Sequence, residues 1–267
     1  MDSIMQFYMP YDFNNKRVII RPSIFSTKNQ SVLIDAGFEN SYRYIENDLY
    51  KYDISRVSIK KIVITQHDFE HIGGLYEIKD RFPDIEIMSS KEEAPFISGV
   101  QKSPLLIRAE EKFKSSKSDM NKSFWYEYCE NMQKIRHVPV DTILKDGQML
   151  DWCYGGIRVM SVPGASVGNI ALHFEKYGTM IAGNAISTDG KDIFPPSYRT
   201  AYDYSLGKLN FDKLFFTRVT SYLCFHGGII QRSLCKTRKR LENAAIKEEK
   251  EFQKRVEEFL SCNKPLF

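Results

Sequence analysis

The run Ile59-Lys-Lys-Ile-Val-Ile64 and the segment after it, Thr65-Gln-His-Asp-Phe-Glu-His-Ile-Gly-Gly74, constrain this chain more than any other feature. A β-branched run of this kind predicts a buried strand, and it stops at a threonine. The loop beyond packs two histidines and two carboxylates into the stretch from His67 to His71. A Gly-Gly pair then lets a helix begin tightly, with Leu75, Ile78 and Phe82 at helical spacing. A solvated loop with a capping aspartate uses the same residue types, but random loops seldom concentrate them so densely. Strand ends that deliver polar residues to the start of a helix belong to α/β architectures with buried strands.

The rest of the chain keeps that rhythm. Arg17-Val-Ile-Ile-Arg21 and Ser31-Val-Leu-Ile-Asp35 are short apolar runs bounded by turn residues. A helix is expected from about 41 to 51, and a strand at Ile85-Glu-Ile-Met88. Residues from about 100 to 136 break the alternation and read as a helical insertion. There Phe124, Tyr128 and Met132 fall four apart beside Trp125, an aromatic face that either packs on the core or forms a lid over a cleft. Further strands are expected at 138–140, 148–152, 157–162 and 179–182. In Asn169-Ile-Ala-Leu-His-Phe174 the residues Ile170, Leu172 and Phe174 share one face. A charged C-terminal helix is expected at about 234–260, docked by Leu241, Ala245, Phe252, Val256 and Phe259. Its basic run, Lys236 to Arg240, reads as a solvated helix face. With no repeat and no low-complexity linker, the economical expectation is one domain over 1–267.

Composition narrows the function classes. Of 267 residues, 42% are hydrophobic and 27% charged, which is ordinary globular material with enough chain for a sizeable core. A net charge of +4 creates no field that argues for a nucleic-acid or membrane partner. The five cysteines, Cys129, Cys153, Cys224, Cys235 and Cys262, are odd in number and widely spaced, as expected of reduced thiols. No basic n-region opens the chain, and no apolar stretch is long enough to span a bilayer, so a cytoplasmic location is expected.

Three more segments carry polar residues at the ends of apolar runs: Ser161-Val-Pro-Gly-Ala-Ser-Val-Gly168, Ile181-Ala-Gly-Asn184 and Cys224-Phe-His-Gly-Gly228. Each is weak alone. In this order and spacing, together with Leu33-Ile-Asp-Ala-Gly37, they resemble the metallo-β-lactamase superfamily from about Val32 to Gly228. The family's pattern is an Asp-x-Gly turn, then Thr-His-x-His-x-Asp-His-x-Gly-Gly, Pro-Gly-His-Thr-x-Gly, a strand-end Gly-Asp and a late Gly-His-Gly. The resemblance implies an αββα sandwich of two mixed β-sheets flanked by helices, with these loops along one edge holding one or two metals. Thr65, Gly73, Gly74, Pro163, Gly164, Gly168, Gly183 and Gly227 match the scaffold positions.

The ligand positions match less well. The family's first histidine falls on Gln66, its second on Asp68, the motif aspartate on Glu70 and the Pro-Gly-His histidine on Ala165. The bridging aspartate falls on Asn184, while His71 and His226 are retained. The first metal position would therefore keep Gln66, Asp68 and Ala165, and an alanine methyl donates nothing. The second would keep Glu70, His71 and His226, a workable set for one divalent ion, zinc or else iron or manganese. Asp68 and Asn184 are further metal-facing candidates, and Asp68 is also a candidate catalytic group that orients water or carries a proton. Asp35, by the same resemblance, buttresses the ligand loop. Two readings follow. One is a single-metal hydrolase of an ester, lactone, thioester or amide in a small-molecule substrate. The other is a pseudo-enzyme without metal that keeps the cleft to bind a small molecule or protein.

Overall fold

The computed structural model describes residues 2–232, apart from 53, 55–58 and 154. The expected C-terminal helix at 234–260 lies outside the described residues. The chain opens with strand β1 (Ser3–Gln6), a hairpin of β2 (Met9–Phe13) and β3 (Lys16–Ile20), and then β4 (Ser23–Ser26) and β5 (Ser31–Ile34). Helix α1 (Tyr42–Lys51), strand β6 (Ile59–Val63), helices α2 (Phe69–Ile72) and α3 (Leu75–Arg81), strand β7 (Glu86–Ser90) and helix α4 (Ala94–Ile97) follow. The insertion is two helices, α5 (Pro104–Ser115) and α6 (Asp119–Gln133), ahead of β8 (Thr142–Leu144). The second half contains β9 (Met149–Leu150), β10 (Ile157–Ser161), β11 (Ile170–Phe174), β12 (Thr179–Ile181), a small pair β13 (Ser187–Thr188) and β14 (Ile193–Phe194), helix α7 (Tyr204–Phe216), β15 (Ser221–Cys224) and β16 (Gly228–Gln231).

These strands form two six-stranded mixed sheets, in the orders β1-β4-β5-β6-β7-β8 and β16-β15-β12-β11-β10-β9. In the first, β5 through β8 run parallel; in the second, only β12 and β15 pair parallel. Strand alternation decides which side chain enters which layer. On β11, Ile170, Leu172 and Phe174 point between the sheets and meet Val32 and Ile34 of β5, while Ala171 faces outward toward α7. Leu33 of β5 takes the opposite side and packs under α1 and α3. Burying each of these large side chains contributes roughly 1.5–3 kcal/mol. Both sheets are thus apolar on both faces, with helices outside each: an αββα sandwich.

One expectation shifts. Residues 138–140 are not a strand, because Pro139 has no N–H for a ladder. There the Val138 and Val140 N–H groups reach Ile97 O and Ser98 Oγ, and pairing resumes at Thr142. The helix expected at the Gly-Gly pair is α3, with Gly74 as its N-cap, and a short α2 precedes it, where Asp68 caps through Phe69 N at 2.7 Å. The insertion's aromatic face divides between the core and a cleft. Trp125 and Met132 are buried against Leu105 and Ala109, whereas Phe124 and Tyr128 turn one edge toward a cleft.

Candidate active site

The cleft lies at one edge of the sandwich, where the loops after β6, β10, β12 and β15 meet. The ligand-type loop is anchored from below by Asp35, which sits at φ +66° and is buried. Its carboxylate accepts from Thr65 N at 2.8 Å and Thr65 Oγ at 3.0 Å, and lies 2.9 Å from His71 Nδ1. His71 is fully buried, with its ring stacked on Phe225 at a centroid distance of 3.8 Å. Its other nitrogen, Nε2, meets the Gln66 side-chain amide at 2.7 Å. Burial works against protonation of this imidazole, but Asp35 and then Asp68 and Glu70 outweigh it and raise the pKa above the usual histidine value.

Glu70 faces the cleft. Its Oε1 takes the Tyr11 hydroxyl, and its Oε2 lies 3.1 Å from His226 Nε2. Burial pushes this carboxyl up, yet His226, Tyr11 and His71 together hold it below the usual carboxylate range. Asp68, next to it, is pushed up to about 6, first by burial and then by the Glu70 charge. Both of its oxygens are engaged, one by Phe69 N and one by the Tyr128 hydroxyl at 3.1 Å. Burial and the facing carboxylates keep both tyrosines protonated as donors.

His226 is delivered by the turn between β15 and β16 and pairs its backbone with Ile20 across to β3. The turn requires glycine at 227. There φ is +97°, and a Cβ would lie 1.8 Å from Thr188 O. Gly164 has a similar duty, since a Cβ there would meet the Gly207 backbone at 2.2 Å and push α7 off the cleft loop. Asn184 follows β12 in a short turn, and its buried Oδ1 has no partner. Phe225 is stacked on His71 and edge-on to His226 at 5.3 Å, so one ring touches both imidazoles.

These groups floor a cavity of about 330 Å³ that Asp68, Glu70, Ala165, Asn184 and His226 all line. Tyr11, Phe13, Phe69, Phe124 and Tyr128 make its walls. Pro196 and Ser197 close one side. Arg199 stands at the rim, 3.4 Å over the Phe124 ring. Of the sequence candidates, Asp68, Glu70, Asn184 and His226 thus meet in one cavity; His71 lies beneath it, and His67 turns away. Tyr11 and Arg199 were missed. Tyr11 rides on the β2–β3 hairpin, whose turn residues Asn14 and Asn15 both have positive φ. An Asn-Asn pair between alternating runs was the legible signal for that hairpin.

Among the described residues, no three or more His, Cys, Asp or Glu side chains converge to hold a metal ion. A two-ion centre does not fit, because Ala165 donates nothing and Gln66 and Asp68 are both engaged. One position does fit a single cation. Glu70 Oε2 and His226 Nε2 are spaced as two ligands of one ion would be, and Asn184, whose buried Oδ1 has no partner, lines the same cavity.

A family model described as the metallo-beta-lactamase superfamily matches residues 18–209. A probable metallo-hydrolase, YflN, of Bacillus subtilis (strain 168) is 25% identical over 175 residues, which span 61% of this chain and 58% of that protein. The chain therefore covers a little over half of the curated relative that it matches. Among solved structures, a metallo-beta-lactamase family protein, TTHA1429, from Thermus thermophilus superposes with a TM-score of 0.67 at 16% identity, covering 92% of this chain and 81% of that one. TTHA1623, solved in a di-iron-bound form, superposes with a TM-score of 0.57 at 16% identity, over 81% and 92%. Among the described residues, no helix is long and apolar enough to cross a membrane.

Proposed function

The chain belongs to the metallo-beta-lactamase superfamily, and we propose that it is a metal-dependent hydrolase of an ester, lactone, thioester or amide bond that works with one divalent cation. Membership favours hydrolysis over the pseudo-enzyme reading, and the observation that carries the single-ion form is the Glu70–His226 pair in the cavity that Asn184 also lines. Those three side chains would hold the ion, and His71 could join only if Gln66 released its Nε2. Zinc, iron or manganese suits a carboxylate, an imidazole and an amide oxygen. Such a cation supplies Lewis acidity toward water and toward the substrate carbonyl.

The protein's own groups do the rest. Asp68, with a pKa of about 6, is tuned to take a proton from water and return it to a leaving group near neutral pH. The Tyr128 hydroxyl fixes its orientation. The aromatic walls exclude bulk water and grip an apolar part of the substrate. A small-molecule substrate suits a cavity of this size.

The test is metal content and turnover on the same samples. Protein dialysed against zinc is expected to keep about one equivalent and to hydrolyse some member of a panel of lactones, thioesters and activated esters. His226→Ala is expected to lose both. Two tightly held equivalents would overturn the single-ion form, and a chain without metal or turnover would overturn the hydrolase reading.

A further inference from the structure

His67 and Asp68 are successive residues of one loop, yet they face opposite ways. Asp68 lines the cleft, while His67 lines a second cavity of about 440 Å³ that shares no residue with the first. His67 is fixed there at two points. Its backbone N–H donates to Glu93 Oε2 at 2.7 Å, and its ring Nδ1 contacts the same oxygen. Glu93, fully buried, accepts at its other oxygen from Ser166 Oγ at 2.6 Å and Gly168 N at 2.7 Å. Burial pushes the Glu93 carboxyl up, but His67, Ser166 and Gly168 hold it below the usual range, so it stays ionised. In the neutral ring, an Nδ1–H directed at that carboxylate leaves the lone pair on Nε2. It faces Ser103 Oγ at 2.8 Å.

Ser103 is the N-cap of α5, and its Oγ accepts from Leu105 N at 3.1 Å and Leu106 N at 3.3 Å. The hydroxyl proton therefore points at His67, and the oxygen sits at the positive end of a twelve-residue helix. A cap needs no histidine, and a buried His–Glu pair is a weak source of stability once desolvation is counted. A hydroxyl, an imidazole that accepts its proton and a buried carboxylate that orients the imidazole are the three roles of a serine hydrolase centre, recognised by geometry and not by position in the chain.

We propose that Ser103, His67 and Glu93 form a second, metal-independent nucleophilic centre for small acyl or aryl esters. The second cavity gives Ser103 an apolar wall of Phe96, Leu106, Met132 and Ile135, with Gln101 and Lys102 at its edge. Ser103 Oγ bonds to the ester carbonyl carbon as its proton passes to His67 Nε2. The bond from that carbon to the alcohol oxygen breaks, and the alcohol leaves with the proton from His67. Water then attacks the acyl-serine by the same route, releasing the acid and restoring Ser103. Glu93 keeps its charge throughout and compensates the imidazolium.

The test is covalent labelling of the full chain by a small alkyl fluorophosphonate with a chelator present throughout, so that metal-dependent turnover in the cleft plays no part. Intact mass and peptide mapping are expected to place one phosphonyl group per chain on Ser103. Ser103→Asn keeps an oxygen that can cap α5 and removes the nucleophile, so it is expected to fold and to remain unlabelled. His67→Gln is expected to slow labelling about 100-fold or more. A natively folded chain whose Ser103 stays unmodified at millimolar probe would overturn the proposal. So would a labelling rate indifferent to His67→Gln.

Discussion

Asp68→Asn should make the protein more stable while stopping the chemistry of the cleft. The Asp68 carboxyl titrates near 3.8 when exposed and at about 6 in the fold, raised by burial and then by Glu70. Two units correspond to at most about 3 kcal/mol between protonation states. The sign follows from linkage. Between pH 4 and 6 the folded chain binds the extra proton, so its stability falls as pH rises through that window and stays lower above it. Asparagine removes the charge but keeps an oxygen for Phe69 N, and its amide can donate to the Tyr128 oxygen. In urea denaturation with a chelator present, Asp68→Asn should gain about 1–3 kcal/mol at pH 8 and little at pH 4. Turnover at pH 8 should fall by about 100-fold or more. A variant less stable than wild type at pH 8, or one with the same gain at both pH values, would refute the charge argument.

Gly227→Ala should lose about 2–4 kcal/mol in the same assay, because a Cβ at φ +97° strikes the Thr188 carbonyl. The ionised Glu93, held below its ordinary pKa, contributes stability that is present above about pH 4.5 and lost as pH falls through the lower folded value. Glu93→Gln should therefore flatten the acid limb of a stability-versus-pH curve. Restoring histidines at Gln66 and Ala165 and aspartate at Asn184 should raise bound metal from about one equivalent toward two, measured by elemental analysis after zinc loading. An unchanged stoichiometry would mean that Gln66 is not what keeps His71 from a metal.

Periodicity determined an α/β arrangement with buried strands, and the ordered motifs, through the family they resemble, determined its layers. A strand such as β11 can bury Ile170, Leu172 and Phe174 only by turning that face to another apolar surface, and the resemblance identified that surface as a second sheet. Which loops share an edge came from the resemblance that Asp35, Thr65, Gly73, Pro163, Gly183 and Gly227 carry in their order along the chain. Strand β2, its hairpin with β3 and helix α7 were not expected. The hairpin's one local signal is its Asn14-Asn15 turn, and packing holds α7 in place. What each polar side chain does was decided only by tertiary contact. His67 and His71 look alike as loop histidines, yet Glu93 and Ser103 draw one into a separate cavity, while Asp35, Gln66 and Phe225 enclose the other beneath the cleft. Glu70 found its partners in Tyr11 and His226, 59 and 156 residues away. Hydrogen-bond partnership depends on orientation within a few tenths of an ångström, and no spacing along a chain encodes that.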